Sequence, residues 1–152
     1  MIDEIIMQEA IKQAQLAVKA DEVPIGAVIV QENKIIARAH NQVEMLKDPT
    51  AHAEMIAITQ ATNYLSRKWL PDCTLYVTIE PCSMCAGALV LARIKKIIFG
   101  ARDPKTGACG SVHNIAQHRQ LNHQIEVQGG ILAEACGSLL TEFFDKKRHV
   151  IN

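Results

Sequence analysis

Two cysteines separated by two residues are the feature of this sequence best suited to chemistry. Cys82 and Cys85 follow Pro81, which is separated from the apolar run 75–79 by one residue. Proline is favoured at the first position of a helix, so we expect Pro81 to end a strand and to begin a helix over residues 81–92. Both sulfurs then lie in the first turn, where free N–H groups and the helix dipole favour the thiolate that binds metals. The motif predicts half of a metal site.

A histidine and a glutamate two positions apart supply the other half. His52 and Glu54 follow the turn-forming residues 48–50, so they too are expected near the N-terminus of a helix. One nitrogen and two sulfurs make three zinc ligands, and a three-ligand zinc site keeps a fourth position open for water. Zinc lowers the pKa of a bound water molecule towards neutrality, and an adjacent carboxylate such as Glu54 can accept and deliver the proton. The combination predicts a hydrolytic site.

Each half of this motif is weak evidence by itself. Two cysteines at this spacing are often redox-active or structural, and a histidine two residues from a glutamate occurs in many helices by chance. Together, H-x-E followed by P-C-x-x-C is the established signature of zinc-dependent nucleobase deaminases. The alternative without chemistry is a buried histidine with two buried thiols.

Helices alternating with short strands are predicted to position these residues. The first predicted elements are an amphipathic helix and a β-hairpin that turns at residues 31–33. A helix follows that begins near Ala51, with Asp48 or Thr50 as its cap. A strand, the helix over 81–92 and a second strand then form a crossover that implies parallel pairing. This alternation predicts a three-layer α/β/α sandwich with a central mixed five-stranded sheet. The predicted strands cover residues 25–30, 34–39, 74–79, 94–99 and 124–128, and the predicted helices cover 3–20, 51–65, 81–92, 113–121 and 131–147.

The composition is that of one ordinary globular domain. The chain has 152 residues, 49% hydrophobic and 21% charged, so we expect a single domain over residues 1–152. The formal net charge is zero, so any nucleic-acid site must be local. An acidic N-terminal segment and the lack of a membrane-spanning apolar run favour a cytoplasmic protein. Five cysteines without a secretory signal indicate metal ligands or buried thiols rather than disulfides.

Four blocks of sequence give the chain its resemblance to a known family. They are Glu-Val-Pro-Ile-Gly-Ala-Val at 22–28, Asp-Pro-Thr-Ala-His-Ala-Glu at 48–54, the run 75–88 around the two cysteines, and Phe-Gly-Ala-Arg-Asp-Pro-Lys-Thr-Gly-Ala at 99–108. With these blocks the sequence resembles the tRNA-specific adenosine deaminases of the cytidine deaminase superfamily, which convert the wobble adenosine of certain anticodons to inosine. The block 99–108 resembles the tRNA enzymes in particular, because other zinc deaminases share the metal ligands and the glutamate.

The resemblance implies a ligand set and a reaction. His52, Cys82 and Cys85 would hold one zinc ion per chain, and Glu54 would activate water for attack on adenine C6 and protonate the departing ammonia. It also implies a tRNA anticodon stem-loop as the substrate, a homodimer, and no membrane partner. The chain would be a single zinc-dependent deaminase domain.

Two further substrate contacts follow from the same resemblance. The side-chain amide of Asn41, at the end of the second predicted strand, would contact the flipped nucleoside. Asp103, in the loop after the fourth strand, would contact the neighbouring part of the RNA. Without the resemblance, both are interpreted as turn residues.

An aromatic pair beside a basic cluster near the C-terminus is a further candidate RNA contact. Phe143 and Phe144 precede Lys-Lys-Arg-His at residues 146–149. Aromatic stacking with phosphate contact would suit RNA, and Phe144 and Arg148 are the predicted contacts. The alternative is an ordinary helix end, in which basic residues complement the helix dipole and one phenylalanine faces the core.

Two other functions are compatible with the motifs. A deaminase of free guanine or cytosine would use the same metal site and leave the basic C-terminal segment without a role. A non-catalytic, zinc-stabilised RNA-binding module would not need Glu54, but a structural zinc site more often has a fourth protein ligand.

Overall fold

A computed structural model describes the backbone of residues 1–151 and the side chains of residues 1–149. The strands of this part of the chain are β1 (Gly26–Gln31), β2 (Lys34–His40), β3 (Cys73–Ile79), β4 (Lys96–Ala101) and β5 (Glu126–Gln128). The helices are α1 (Ile2–Lys19), α2 (Val43–Leu46), α3 (Ala53–Leu65), α4 (Ser83–Leu91) and α5 (Ala133–Ile151). Among the described residues, no helix combines the length and the apolar character that crossing a bilayer requires.

The five strands form one sheet in the order β2-β1-β3-β4-β5. β1 pairs antiparallel with β2 and β3, whereas β3 pairs parallel with β4, and β4 with β5. Helices α1 and α5 pack on one face of the sheet, and α3 and α4 pack on the other. The predicted three-layer α/β/α sandwich, its mixed sheet and its parallel crossover through α4 are confirmed.

Alternate residues of the central strand β3 face the two helical layers. Leu75 and Val77 pack with α3 and α4, whereas Tyr76 packs with α1. The Tyr76 hydroxyl also donates a 2.6 Å hydrogen bond to Asp3 Oδ1 and so ties α1 to the sheet. The strand is therefore buried on both faces, as the middle of such a sandwich requires.

The first hairpin is fixed at both of its ends. Where β1 begins, a Cβ atom at Gly26 would lie 2.0 Å from the carbonyl oxygen of Ala10 and 2.5 Å from the nitrogen of Ala14, so only glycine fits against α1. Where β1 turns into β2, Glu32 and Asn33 have φ values of 50° and 64°. Two consecutive left-handed residues are typical of a two-residue hairpin turn, and the predicted hairpin is confirmed.

The start of α3 differs from the prediction. The helix begins at Ala53 rather than near Ala51, and neither Asp48 nor Thr50 caps it. Asp48 Oδ1 instead accepts hydrogen bonds from the nitrogen and the hydroxyl of Thr50, at 2.8 and 2.7 Å. The carboxylate closes a local turn, so the helix N-terminus must be satisfied from elsewhere in the fold.

The helix predicted over residues 113–121 is wrong. These residues form turns, and Asn114 forms an isolated bridge with Cys109. The nitrogen of Ile115 donates to the carbonyl of Ala108 at 2.9 Å rather than to a residue of its own turn. Pairing with the preceding loop has therefore replaced the helical hydrogen bonds. Elsewhere in the chain, the short helix α2 was not predicted.

Candidate metal centre

Three donor atoms meet beside the carboxyl end of β3. The ligating atoms of His52, Cys82 and Cys85 all lie within 4.8 Å of one another, a grouping that could hold a metal ion. Nδ1 of His52 is 3.7 Å from Cys82 Sγ and 3.5 Å from Cys85 Sγ. Tetrahedral zinc with bonds of about 2.1 Å to nitrogen and about 2.3 Å to sulfur separates two such ligands by about 3.6 Å. The three residues therefore fit zinc, with Nδ1 as the ring nitrogen that faces the sulfurs.

Both halves of the centre lie at helix N-termini. His52 is the N-cap residue of α3, Cys82 is the N-cap residue of α4, and Cys85 lies in the first turn of α4. The prediction that Pro81 is the first helical residue is wrong, because α4 begins two residues later. Pro81 instead accepts a 2.8 Å hydrogen bond from the nitrogen of Ala108. Cys82 and Cys85 therefore still lie at the N-terminal end of α4, where free N–H groups are found, as expected.

The two thiols are electrostatically unlike. A hydrogen bond from Cys85 is the main cause that lowers the pKa of Cys82 to about 4, and the contact with His52 acts in the same direction. That hydrogen bond and burial raise the pKa of the Cys85 thiol. The two shifts favour the thiolate at Cys82 and the protonated form at Cys85, and a divalent cation would displace that proton.

Glu54 lies one residue inside α3 with its carboxylate buried beside the ligands. The residue is only 3% exposed, and its Oε1 has no hydrogen-bond partner among the described residues. Burial is the largest cause that raises the pKa of Glu54 to about 7. A carboxylate that exchanges its proton near neutral pH and keeps one oxygen free is suited to proton transfer.

Asn41 connects the end of β2 to the start of α3. The residue is 4% exposed, and its Oδ1 accepts a 2.8 Å hydrogen bond from the nitrogen of Ala53. Ala53 stands between His52 and Glu54, so the amide oxygen holds the segment that carries both. The predicted contact between the amide of Asn41 and the nucleoside stays a prediction.

Asp103 uses its carboxylate within its own loop. Oδ1 accepts hydrogen bonds from the nitrogens of Lys105 and Thr106, at 3.0 and 3.1 Å, and Oδ2 accepts one from the Thr106 hydroxyl at 2.7 Å. The loop borders the metal ligands, because Gly107 forms an isolated bridge with Cys82. The structure thus places Asp103 as a turn residue in the loop that contacts Cys82, and its contact with RNA stays a prediction.

Phe144 and Arg148 lie on α5, and the structure brings neither to the metal ligands. Phe144 is 42% exposed and packs edge-on against Phe143, with ring centroids 5.5 Å apart. Arg148 forms an ion pair with Asp145 of the same helix. The expectation that one phenylalanine faces the core is wrong, because Phe143 is only half-buried. Their RNA contacts stay predictions.

Glu22 and Glu80 are buried carboxylates for which the sequence predicts no role. They are 1% and 3% exposed. Glu22 accepts hydrogen bonds from the nitrogens of Glu44 and Met45, at 2.9 and 2.8 Å, and so ties α2 to the segment before β1. Glu80 accepts hydrogen bonds from the loop that contains Asp103. No sequence signal marks either residue as buried, because their hydrogen-bond partners are mostly backbone N–H groups.

Known proteins resemble this chain over almost its whole length. The model of the MafB19-like deaminase family matches residues 1–148. The tRNA-specific adenosine deaminase of Bacillus subtilis (strain 168) is 51% identical over 146 residues, which cover 96% of this chain and 91% of that protein. The tRNA-specific adenosine deaminase of Aquifex aeolicus (strain VF5) is 51% identical over 148 residues, or 97% of each chain.

Solved structures agree with these relatives. A structure from a study of A-to-I editing by tRNA:A34 deaminases has a TM-score of 0.85 and 41% sequence identity, and the match covers 88% of this chain and 97% of that chain. A guanine deaminase from Nitrosomonas europaea has a TM-score of 0.79 and 25% identity over 92% of this chain and 83% of that chain. The two relatives at 51% identity carry the tRNA-specific name, and the chain belongs to the tRNA-specific adenosine deaminases within the MafB19-like deaminase family.

Proposed function

We propose that this chain hydrolyses adenosine to inosine at the wobble position of a tRNA anticodon, as a single zinc-dependent deaminase domain over residues 1–152. The observation that carries the proposal is the buried carboxylate of Glu54, with a free Oε1, beside a three-ligand metal centre. Relatives named for this activity at 51% identity support the choice of substrate.

The chain's own residues account for ligand binding and proton transfer. His52, Cys82 and Cys85 would hold zinc, which when bound supplies the Lewis acidity that makes water a nucleophile near neutral pH. Glu54 takes a proton from the water whose oxygen bonds to adenine C6. It then delivers a proton to the amino group, which leaves as ammonia, and the product is inosine.

Four residues are proposed to bind the RNA. The amide of Asn41 contacts the flipped nucleoside, and Asp103 contacts the adjoining strand from the loop beside Cys82. Phe144 offers an exposed ring for stacking, and Arg148 offers a cation for phosphate. The exposure of Phe144 and of the Arg148 side chain, 42% and 70%, supports the last two assignments.

A homodimer is supported by an apolar surface next to the metal centre. Met55, Met84, Leu91, Ile115 and Leu121 line a shallow groove along α4 that has almost no polar lining; we refer to it as the α4 surface. Leu91 is 77% exposed in the isolated chain. Burial of such a surface against a second copy would remove apolar area from water. The cytoplasmic location stays a prediction.

The proposal is tested with the zinc-loaded protein and an anticodon stem-loop that carries a wobble adenosine. Digestion of the RNA to nucleosides should reveal inosine, and Glu54→Gln, which keeps the side-chain shape, should bind zinc without producing it. Turnover of free guanine or cytosine without turnover of the stem-loop would identify a free-base deaminase. If the function of the protein is RNA binding without catalysis, the Glu54→Gln variant should keep its zinc and bind RNA as well as the wild type does. That result, without inosine from either protein, would identify a binding module.

A further inference from the structure

Glu80 lies at the junction between β3 and the metal-ligand turn. It follows the last residue of β3, Ile79, and precedes Pro81 and Cys82. The residue is 3% exposed, and its carboxylate forms no ion pair with a lysine, arginine or histidine among the described residues. A buried carboxylate without a cation must be stabilised by hydrogen-bond donors.

All of the donors come from the loop over residues 103–111. Glu80 Oε1 accepts hydrogen bonds from the nitrogen of Asp103 at 3.0 Å and from the hydroxyl of Ser111 at 2.5 Å. Glu80 Oε2 accepts hydrogen bonds from the nitrogens of Cys109 and Ser111, at 3.0 and 3.1 Å. One carboxylate therefore holds the beginning and the end of the 103–111 loop.

The loop wraps closely around this carboxylate. A Cβ atom at Gly107 would lie 2.4 Å from Glu80 Cδ, so the loop can close only with glycine at that position. Gly107 also forms a bridge with Cys82, and the nitrogen of Ala108 donates to the carbonyl of Pro81 at 2.8 Å. The loop is thereby packed against the turn that carries the metal ligand Cys82.

We propose that Glu80 is a positioning residue for the substrate: its carboxylate preorganises the 103–111 loop as the wall against which the RNA binds. The inference depends on the proposed function, because it assumes that an RNA base reaches the metal centre beside this wall. Glu80 touches neither the ligating sulfurs nor Glu54 through any hydrogen bond found among the described residues. It acts through the loop.

The expected consequence is a change in binding rather than in the chemical step. Without the carboxylate, three backbone N–H groups lose their acceptor and turn towards water, so the free loop becomes disordered. RNA binding must then order the loop, which weakens the affinity. Once the base is bound, Glu54 and the metal ligands are unchanged, so kcat should change little.

Two substitutions test the proposal by different means. Glu80→Gln keeps the shape but places amide N–H groups against backbone donors, and it should raise KM for the anticodon stem-loop about tenfold, the loss expected for one hydrogen bond to a charged group. Ser111→Ala removes only the hydroxyl donor and should raise KM in the same direction by a smaller factor. Both variants should retain one zinc per chain and a kcat close to that of the wild type.

Two control variants separate positioning from general stability. Ser111→Thr keeps the hydroxyl at an exposed position and should restore the wild-type KM. Tyr76→Phe removes the hydrogen bond to Asp3 on the opposite face of the sheet, and it should lower Tm without changing KM. If Glu80→Gln does not fold, the comparison of Ser111→Ala with Ser111→Thr still decides the question.

Particular outcomes would overturn the inference. It fails if KM is unchanged in the Glu80→Gln and Ser111→Ala variants, or if Ser111→Thr and Tyr76→Phe raise KM as much as Ser111→Ala does. It also fails if loss of zinc and a fall in kcat account for the whole effect. The wild-type protein distinguishes this failure from that of the proposed function, since inosine must first form with the unmodified chain.

Discussion

The amide oxygen of Asn41 accepts a hydrogen bond from the nitrogen of Ala53, at 2.8 Å, between the predicted metal ligand His52 and the predicted proton carrier Glu54. The α3 N-terminus has no side-chain cap from its own segment, so a residue from the end of β2 satisfies it. The same side chain thus has an internal structural contact through Oδ1 and a proposed substrate contact through its NH2 group.

Substitutions at Asn41 should separate these two contacts. Asn41→Ala leaves the Ala53 N–H without its acceptor, so it should lower the free energy of unfolding by about 1–2 kcal/mol. The activity of this variant should fall as well. Asn41→Asp keeps an acceptor oxygen and adds a charge favoured at a helix N-terminus, so Tm should stay close to that of the wild type. Its kcat/KM for the stem-loop should still fall at least about tenfold, because the donor is lost. Wild-type kcat/KM in Asn41→Asp would refute the proposed nucleoside contact.

Removal of the metal should abolish activity and lower stability together. The ligand thiolates and His52 fit zinc, and a ligand present at about a thousand times its dissociation constant stabilises the folded state by about 4 kcal/mol. Chelation should therefore lower Tm and eliminate inosine formation, and zinc should restore both. Cys85→Ala should contain no zinc. Cys136→Ala, which replaces a fully buried thiol on the other face of the sheet, should keep one zinc per chain.

The metal-free protein should lose stability as the pH rises through neutrality. Burial raises the pKa of Glu54 from its ordinary value of 4.5 to about 7, so between these pH values the folded chain holds a proton that the unfolded chain has released. The contribution is fully present below pH 4.5 and is lost as the pH rises through about 7. In metal-free samples, Glu54→Gln should gain about 2–3 kcal/mol relative to the wild type between pH 5 and pH 8, measured by urea unfolding. An unchanged difference between the two proteins would show that Glu54 titrates normally.

A charge in the α4 surface should prevent self-association. Leu91 is 77% exposed and lies in the apolar groove, so Leu91→Asp would bury a carboxylate in any interface formed there. The wild-type protein should have twice the 16.8 kDa mass of one chain, and Leu91→Asp should have the mass of one chain. Leu16→Asp is the matched control, because Leu16 is a 45% exposed leucine on α1. Light scattering after size-exclusion chromatography measures the mass, and a monomeric wild-type chain would contradict the proposal.

The elements with strong periodicity were predictable from the sequence. The amphipathic spacing in α1, the apolar runs of β1 and β3, and the crossover through α4 led to the correct layers and the mixed sheet. The helix expected over residues 113–121 is wrong because these residues form turns that hydrogen-bond to the preceding loop. Such tertiary contacts are not encoded in the local spacing of apolar residues. The cap of α3 failed for a similar reason, since Asn41 is twelve residues away from Ala53.

The grouping of His52, Cys82 and Cys85 was predictable because it depends on residue types and spacing, and the sequence holds both halves intact. The supports of the centre were not predictable. Glu22 and Glu80 look like surface residues in the sequence, and their partners are mostly backbone N–H groups, which every residue except proline possesses. The side-chain type of the partner residue therefore gives no sign of such a contact in the sequence.

The distribution of the donor atoms along the chain has a consequence for folding. His52 and Cys82 are separated by the whole of α3 and β3, so no short fragment contains a complete ligand set. The two helix N-termini meet only after β3 has paired with its neighbours in the sheet, and such long-range pairing forms slowly. During refolding, tight zinc binding should therefore occur late. It should follow the assembly of the sheet and should not nucleate it.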